Sequence, residues 1–317
     1  MTILVTGGAG YIGRHLVQAL AAAGESVAVV DLPETAGRVE VPFLGVDLTD
    51  AGAADAVADF ARTQGVDAVV HLAARKRADE SVERPEWYHR QNVGGLETVL
   101  AASRAAGVTR FVFSSTAAVY ASSDHPVTED AELAPANPYG ATKLEGERLV
   151  ERFASETGAR AVSLRYFNVA GAASAELAER EAHNLIPIVV EALASGTPPV
   201  VYGGDYPTAD GSCVRDFIHV ADVADAHLVA LRALGSGASH RVFNVGTGRG
   251  ATVLEVVENL IRLIGSAVDP VVAPRRAGDP AVVVADVARI RRELGWQARH
   301  DLDAILHSAV ATAASRA

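Results

Sequence analysis

Five short runs rich in Val, Ile and Leu, at Ile3–Thr6, Ser26–Val30, Ala68–Leu72, Arg110–Ser114 and Ala161–Arg165, are separated by Ala-rich stretches long enough to form helices. That rhythm favours parallel pairing, because parallel neighbours need a crossover between them. The runs are apolar without alternation, as in Ala68-Val69-Val70, which suits strands covered by helices on both faces. An α/β fold with a doubly wound parallel sheet is therefore expected. After Asn168 the rhythm breaks. Helices are expected at Leu185–Ala194, His219–Leu234 and Thr252–Gly265, and a strand at Arg241–Gly246, which reads as a smaller α/β lobe whose chain returns to the first.

Composition narrows the class. The chain has 317 residues, 49% hydrophobic and 21% charged, enough to bury a sizeable core and too apolar for disorder. No apolar run reaches the ~18 residues needed to span a bilayer, so no membrane partner is expected. A formal charge of -11 argues against general nucleic-acid binding, which rests on phosphate neutralisation. The single cysteine, Cys213, fits a reducing compartment, and a cytoplasmic location is expected. No Cys/His cluster has ligand spacing, so no metal site is expected. Only two of the 28 basic residues are lysine, Lys76 and Lys143. Where Arg is so strongly preferred, the remaining lysines become candidates for chemistry that Arg cannot perform.

The first strand runs into Gly7-Gly8-Ala9-Gly10-Tyr11-Ile12-Gly13, with a helix expected over Tyr11–Ala23. In such a loop Gly7 permits the tight turn, Gly10 the close approach of a pyrophosphate and Gly13 the packing of helix on strand, while the helix N-terminus offers its positive end. This is a Rossmann-type dinucleotide signature. The second strand ends at Asp31, followed by Leu32. A carboxylate there accepts hydrogen bonds from a ribose 2′-hydroxyl and repels a 2′-phosphate, which favours NAD over NADP. Asp47-Leu48 is a candidate adenine contact or an ordinary turn.

Asn137-Pro138 reads as N-cap and first residue of a helix carrying Tyr139 and Lys143 four apart, hence on one face. A phenol with a reference pKa of about 10 is a poor base near neutrality unless a cation stabilises its phenolate, and Lys143 is placed to supply that charge. The strand ending at Ser114 leads to Thr116, at the carboxyl edge where doubly wound sheets bind ligands. Thr116 is positioned to orient a sugar oxygen toward Tyr139, or to cap the loop after the strand.

Together these motifs resemble the extended short-chain dehydrogenase/reductases. The resemblance narrows to the UDP-glucose (UDP-galactose) 4-epimerase family through Val70-His71-Leu72-Ala73-Ala74-Arg75-Lys76, Glu80-Ser81-Val82, Asn92-Val93 and Arg165-Tyr166-Phe167-Asn168. Asn184-Leu185-Ile186-Pro187, Gly204-Asp205-Tyr206-Pro207-Thr208, Val214–Val220 and Arg275-Arg276-Ala277-Gly278-Asp279 extend it over nearly the whole chain. It implies an NAD-binding domain over 1–168, with the chain returning near 216–247, and a mainly substrate-binding domain over 169–317. It implies Thr116, Tyr139 and Lys143 as catalytic groups. Leu72, Ala73, Ala74, Lys76, Asn92, Ser114 and Tyr166 join the glycine loop, Asp31, Leu32, Asp47 and Leu48, with Tyr139 and Lys143, around a tightly bound, recycled NAD. Lys76, Thr116, Tyr139, Asn168, Asn184, Leu185, Val200, Tyr202, Arg215, Arg276, Asp279 and Val283 are implied to surround a UDP-sugar. Arg215 and Arg276 would meet the diphosphate and Tyr202 the uracil. Read without the resemblance, Asn184 caps a helix, Arg215 pairs with Asp216 and Tyr202 is core.

The implied reaction is removal of the 4-hydroxyl proton by Tyr139 with hydride transfer to NAD, rotation of the 4-keto sugar, and return of hydride and proton to the other face. A homodimer joined through Gly95–Ala106 and Ala141–Phe153 is also implied. Val169 replaces a common proline, and Ala172–His183 is short for the family. Val283 stands where a larger aromatic is frequent, which leaves room for an N-acetyl group, so UDP-N-acetylhexosamine is an alternative substrate beside another nucleotide sugar such as a uronate. A nucleotide-sugar dehydratase would carry an Asp-Glu pair after Thr116, where this chain has Ala117-Ala118. A non-enzymatic NAD-sensing protein would have lost Tyr139 or Lys143.

Overall fold

The computed structural model describes residues 1–179, 184–235, 238–276 and 278–314. Residues 180–183 of the Ala172–His183 segment and Ala277 of the Arg276–Asp279 stretch lie outside the described residues. The chain runs β1 (Thr2–Thr6), α1 (Tyr11–Ala22), β2 (Ser26–Asp31), β3 (Phe43–Gly45), α2 (Ala53–Gln64) and β4 (Ala68–His71). Two short helices, α3 (Ala78–Glu83) and α4 (Pro85–His89), lead through a π-helical turn at Arg90–Gly94 into α5 (Gly95–Ala106). Then come β5 (Arg110–Thr116), α6 (Pro138–Thr157), β6 (Arg160–Tyr166), β7 (Asn168–Ala170), α7 (Leu185–Ala194) and β8 (Val200–Tyr202). β9 (Val214–His219), α8 (Val220–Arg232), β10 (His240–Val245), β11 (Gly250–Thr252) and α9 (Val253–Ile264) follow. The chain closes with β12 (Val271–Ala273), β13 (Val282–Val283), α10 (Ala288–Leu294) and α11 (Leu302–Ala314).

Seven strands form one sheet in the order β10-β6-β5-β4-β1-β2-β3. β1 is the point where the order reverses, with β2 on one side and β4 on the other, both parallel to it. Such a switch opens a crevice at the carboxyl ends of the strands. Ile3, Leu4, Val5 and all four residues of β4 are buried, as expected of strands covered on both faces. Leu96 and Val99 of α5, Val57 of α2 and Phe153 of α6 join Leu4, Val69 and Phe111 in one core. Residues clustering with this sheet, Met1–Tyr120, Leu133–Arg165 and Ala224–Phe243, make one compact unit.

The second unit comprises Ala121–Glu132, Tyr166–Val223 and Asn244–Ala317. It carries a four-stranded sheet in which β9 pairs with β11, β13 and β7, and a two-stranded sheet of β8 and β12. Ile186 and Val190 of α7, Phe217 of β9, Leu260 of α9 and Ile305 of α11 share its core. Thr252 and Glu255 form a reciprocal capping box that fixes the start of α9.

One expected element begins differently. His219 closes β9 opposite Ala170 instead of opening a helix, and its Nδ1 accepts the Ala221 N–H at 3.1 Å. The imidazole thereby serves an N–H of the first turn of α8, which a helix leaves unsatisfied. Among the described residues, no helix is long and apolar enough to cross a membrane.

His71, at the end of β4, is fully enclosed, stacked on Phe113 with ring centroids 6.0 Å apart and paired with Thr6 Oγ1 at 2.8 Å. Burial, assisted by the charge of Lys143, lowers its pKa from 6.5 to about 3. The unfolded chain therefore takes up a proton between those values that the native state refuses, so stability falls as pH drops through that window. The full effect is about 5 kcal/mol. Substituting His71→Asn, which keeps a partner for Thr6 but cannot titrate, is expected to flatten the stability-versus-pH slope between pH 6.5 and 4, measured by urea unfolding.

Candidate active site

The glycine loop lies between β1 and α1. Gly7 turns with φ +71°, and a Cβ on Gly13 would lie 2.2 Å from the Gly7 carbonyl oxygen, so only glycine lets α1 close onto the loop. Gly10 is the N-cap of α1 and offers no capping side chain, and no acidic residue stands in the first turn. The N–H groups and positive end of α1 are thus matched to an anionic group such as a pyrophosphate. Tyr11 and Ile12 of the first turn are half-buried. Asp31 Oδ2 accepts the Ala9 N–H at 2.9 Å and Oδ1 the Leu32 N–H at 2.8 Å. Burial raises its pKa against the pull of those two bonds. The residues fit a dinucleotide: an uncapped helix end for its phosphates and a fixed carboxylate for a ribose.

Asp47 spends its carboxylate locally, where Oδ1 accepts both the N–H and the hydroxyl of Thr49, at 2.8 and 2.7 Å. Leu48 packs against the core beside α5. Leu72 lies one residue beyond β4, its N–H still bonded to the Thr6 carbonyl at 3.0 Å, and is half-buried like Ala73 and Ala74. Asn92 is buried and fully engaged: its Oδ1 accepts the Arg75 N–H at 2.7 Å, while Nδ2 donates to Arg75 O and Thr142 Oγ1, both at 3.0 Å. It pins the loop after β4 to α6. Lys76 is exposed, its Nζ 6.0 Å from the centroid of the Tyr11 ring.

The start of α6 is fixed by three contacts. Asn137 Oδ1 accepts the Gly140 N–H at 2.9 Å, and Ser81 Oγ of α3 accepts the Tyr139 N–H at 3.1 Å. A Cβ on Gly140 would lie 2.3 Å from Ala118 O, so glycine at this position lets the helix press onto the turn after β5. That approach brings Tyr139 near Thr116, whose hydroxyl acts on the phenol to lower its pKa. Thr116 Oγ1 also accepts the Ala118 N–H at 3.2 Å, so Thr116 both caps its turn and meets the tyrosine.

One turn on, Lys143 is buried. Its Nζ donates to the Ser114 carbonyl at 2.8 Å and sits 5.0 Å above the Phe113 ring. Burial lowers its pKa to about 7, with the charge of Glu147 acting in the opposite sense. Burial also raises the Tyr139 phenol above its ordinary value, and the Thr116 hydrogen bond pulls it back. The Lys143 ammonium is meanwhile anchored on the Ser114 carbonyl, one helical turn from the phenol. Composition singled out both lysines, but only Lys143 is buried beside this group. Absent from the expected site residues were Ser115, Glu147 and Arg165, which form a hydrogen-bonded cluster beside Lys143. Their sequence signal was the spacing of Tyr139, Lys143 and Glu147 at four-residue intervals.

Apart from Lys76, Thr116 and Tyr139, the residues expected around the nucleotide sugar lie in the second unit. Arg215 Nη2 meets Asp279 Oδ1 at 2.5 Å and Nη1 donates to Val214 O at 2.7 Å. Arg215 therefore pairs with Asp279 and leaves the neighbouring Asp216 to other donors. The Asp216 carboxylate accepts from Thr247, Gly248 and Ala285. Tyr202 is 37% exposed, not core, and the Arg276 guanidinium lies 4.0 Å from its ring centroid. Val200, on the same strand, is also exposed. Asn184 is the N-cap of α7 without a capping bond from its side chain, and donates instead to Glu179 at 2.8 Å. Leu185 packs on the local core, Asn168 opens β7 and Tyr166 is buried at the end of β6. Val283, half-buried in β13, stands opposite Arg215 of β9.

Similar proteins point the same way. A UDP-glucose 4-epimerase of Azospirillum brasilense is 45% identical over 97% of this chain and 90% of its own length. The crystal structure of UDP-glucose-4-epimerase from Stenotrophomonas maltophila, with bound NAD and formylated UDP-arabinopyranose, superposes with a TM-score of 0.93 at 39% identity, covering 100% of this chain and 99% of that one. UDP-glucose 4-epimerase from Brucella ovis in complex with NAD gives a TM-score of 0.91 at 38% identity, covering 98% and 97%. Residues 3–246 match the sequence profile of the NAD dependent epimerase/dehydratase family, and the chain belongs to that family.

Proposed function

We propose that this protein is an NAD-dependent 4-epimerase that interconverts UDP-glucose and UDP-galactose through a transient 4-keto sugar. One observation carries the reading: Tyr139, close to Thr116 and one helical turn from buried Lys143, stands at the carboxyl edge of a switch-point sheet, in a chain similar over its length to UDP-glucose 4-epimerases. Bound NAD supplies the acceptor, and afterwards the donor, of the C4 hydride. Tyr139 Oη takes the proton of the sugar 4-hydroxyl and later returns it. Thr116 directs the phenol toward that hydroxyl and stabilises its oxyanion by donating to it. Lys143 supplies positive charge from the same helix face. Once the sugar has turned over, the same tyrosine serves the opposite face, so one acid/base group suffices for inversion.

The remaining assignments follow from this reading. Arg215 and Arg276 supply positive charge for the diphosphate, Tyr202 a flat face for the uracil, and Asp31 an acceptor for the cofactor ribose. Residues 1–168, with the returning segment, hold the cofactor and 169–317 mainly the sugar nucleotide. The protein acts in the cytoplasm as a homodimer joined through α5 and α6, neither of which is long enough and apolar enough to be a membrane span. Dehydration is disfavoured because Ala117 and Ala118 follow Thr116 where an acid and a base would be needed. Val283 favours a second substrate, since a small side chain opposite Arg215 leaves space beside the sugar for an N-acetyl group.

Incubation with UDP-galactose without added cofactor, followed by NMR of the anomeric protons, is expected to show UDP-glucose accumulating. The substitution Tyr139→Phe is expected to lower kcat by about 10²–10⁴-fold, the usual worth of a positioned acid/base group; full activity in that variant would overturn the reading. Turnover of UDP-N-acetylglucosamine is expected in the wild type and its selective loss in Val283→Tyr, measured beside UDP-glucose.

A further inference from the structure

Glu147 is buried on the same face of α6 as Lys143, one turn later. Three donors converge on its carboxylate: Ser115 Oγ at 2.5 Å, Arg165 Nε at 2.8 Å and Arg165 Nη2 at 2.6 Å. Arg165 also gives Nη1 to the Tyr120 hydroxyl at 2.9 Å. The Glu147 and Arg165 side chains are 6% and 3% exposed. A buried ion pair of this kind is often no more stabilising than apolar side chains of the same volume, so its position beside Lys143 calls for another role. Ser114, whose carbonyl holds Lys143, and Ser115, whose hydroxyl holds Glu147, are consecutive in β5. Two successive turns of the helix are thus tied to two successive residues of one strand end, and the second tie carries a negative charge.

We propose that Glu147 is a positioning residue that keeps Lys143 in its ammonium form, and that Arg165 sets the strength of that effect by sharing the carboxylate. The inference rests on the reading of Lys143 as the cation that supports a Tyr139 oxyanion. Of the other titratable groups facing this wall, His71 of β4 stays neutral down to a pH of about 3, and burial keeps His240 of β10 below its ordinary value. Burial pushes the Tyr139 phenol above its ordinary value. Glu151, one turn beyond Glu147 on α6, is exposed, and its charge opposes the effect of burial on His240. The buried carboxylate of Glu147 favours the Lys143 ammonium, and the Arg165 guanidinium shares that carboxylate, so removing one or the other should act on Lys143 with opposite signs.

That opposition separates an electrostatic role from a merely structural one, because loss of either partner breaks the same clamp. The chain has only two lysines, so enzyme labelled with ¹³C at lysine Cε gives two side-chain signals, and Lys76→Arg assigns them. In the NAD-loaded protein, Glu147→Gln is expected to lower the pH midpoint of the Lys143 signal by about one unit or more and Arg165→Met to raise it. The alkaline limb of kcat should move with the same signs. Shifts in one common direction, or none in either variant, would overturn the proposal. Should Glu147→Gln not fold, Glu147→Asp and Arg165→Met decide the matter: Asp must keep the wild-type midpoint while Met raises it. If the signals move as expected but the wild type epimerises nothing, the assigned function fails and the coupling stands.

Discussion

The end of β5 is held from α6 at two places one helical turn apart, by Lys143 on the Ser114 carbonyl and by Glu147 on the Ser115 hydroxyl. These bonds lie in a buried, low-dielectric wall, where hydrogen bonds to charged groups are strong and an unmade one is expensive. They fix the height of the helix against the strand, which decides whether Tyr139 meets Thr116. Gly140 makes the same demand from the other side, since any larger residue would strike the carbonyl of Ala118. The candidate chemistry thus depends on one helix being unable to slide.

A similar economy operates at the cofactor end. The loop after β1 holds glycine where a side chain would collide with backbone, and leaves the N-terminus of α1 without a capping side chain or a first-turn acid. A helix end with unsatisfied N–H groups is unfavourable by itself and well suited to an anion. Asp31 is fastened by backbone bonds to Ala9 and Leu32, so its orientation is set by the loop it adjoins. These groups are held by backbone contacts within the fold, and groups so held lose little freedom when a ligand binds.

Much of this was legible in the sequence because the signals are local. Helical periodicity alone puts Tyr139 and Lys143 on one face, and Asn137-Pro138 marks the helix start as the Asn137 side chain later bears out. The strand runs came through within a residue or two, since parallel strands buried on both faces read as unbroken apolar stretches. His219 was misread because its role in α8 is that of an acceptor for the Ala221 N–H, not of a helical residue. The partner of Arg215 was hidden for a different reason: Asp279 is brought to it by separate segments of the second unit, while the adjacent Asp216 is occupied by Thr247 and Gly248.

Sequence alone settled the five main strands of the parallel sheet, the starts of α1 and α6, and which tyrosine and lysine share a helix face, because periodicity, capping and glycine tolerance act over a few residues. Only the tertiary structure decided that Lys143 is buried and Lys76 exposed, that Lys143 is anchored on the Ser114 carbonyl, and that Asn92 is consumed by Arg75 and Thr142. Burial and hydrogen-bond partnership depend on which distant segments meet. A side chain's charge state is set by the company it keeps after folding, and no local pattern records that.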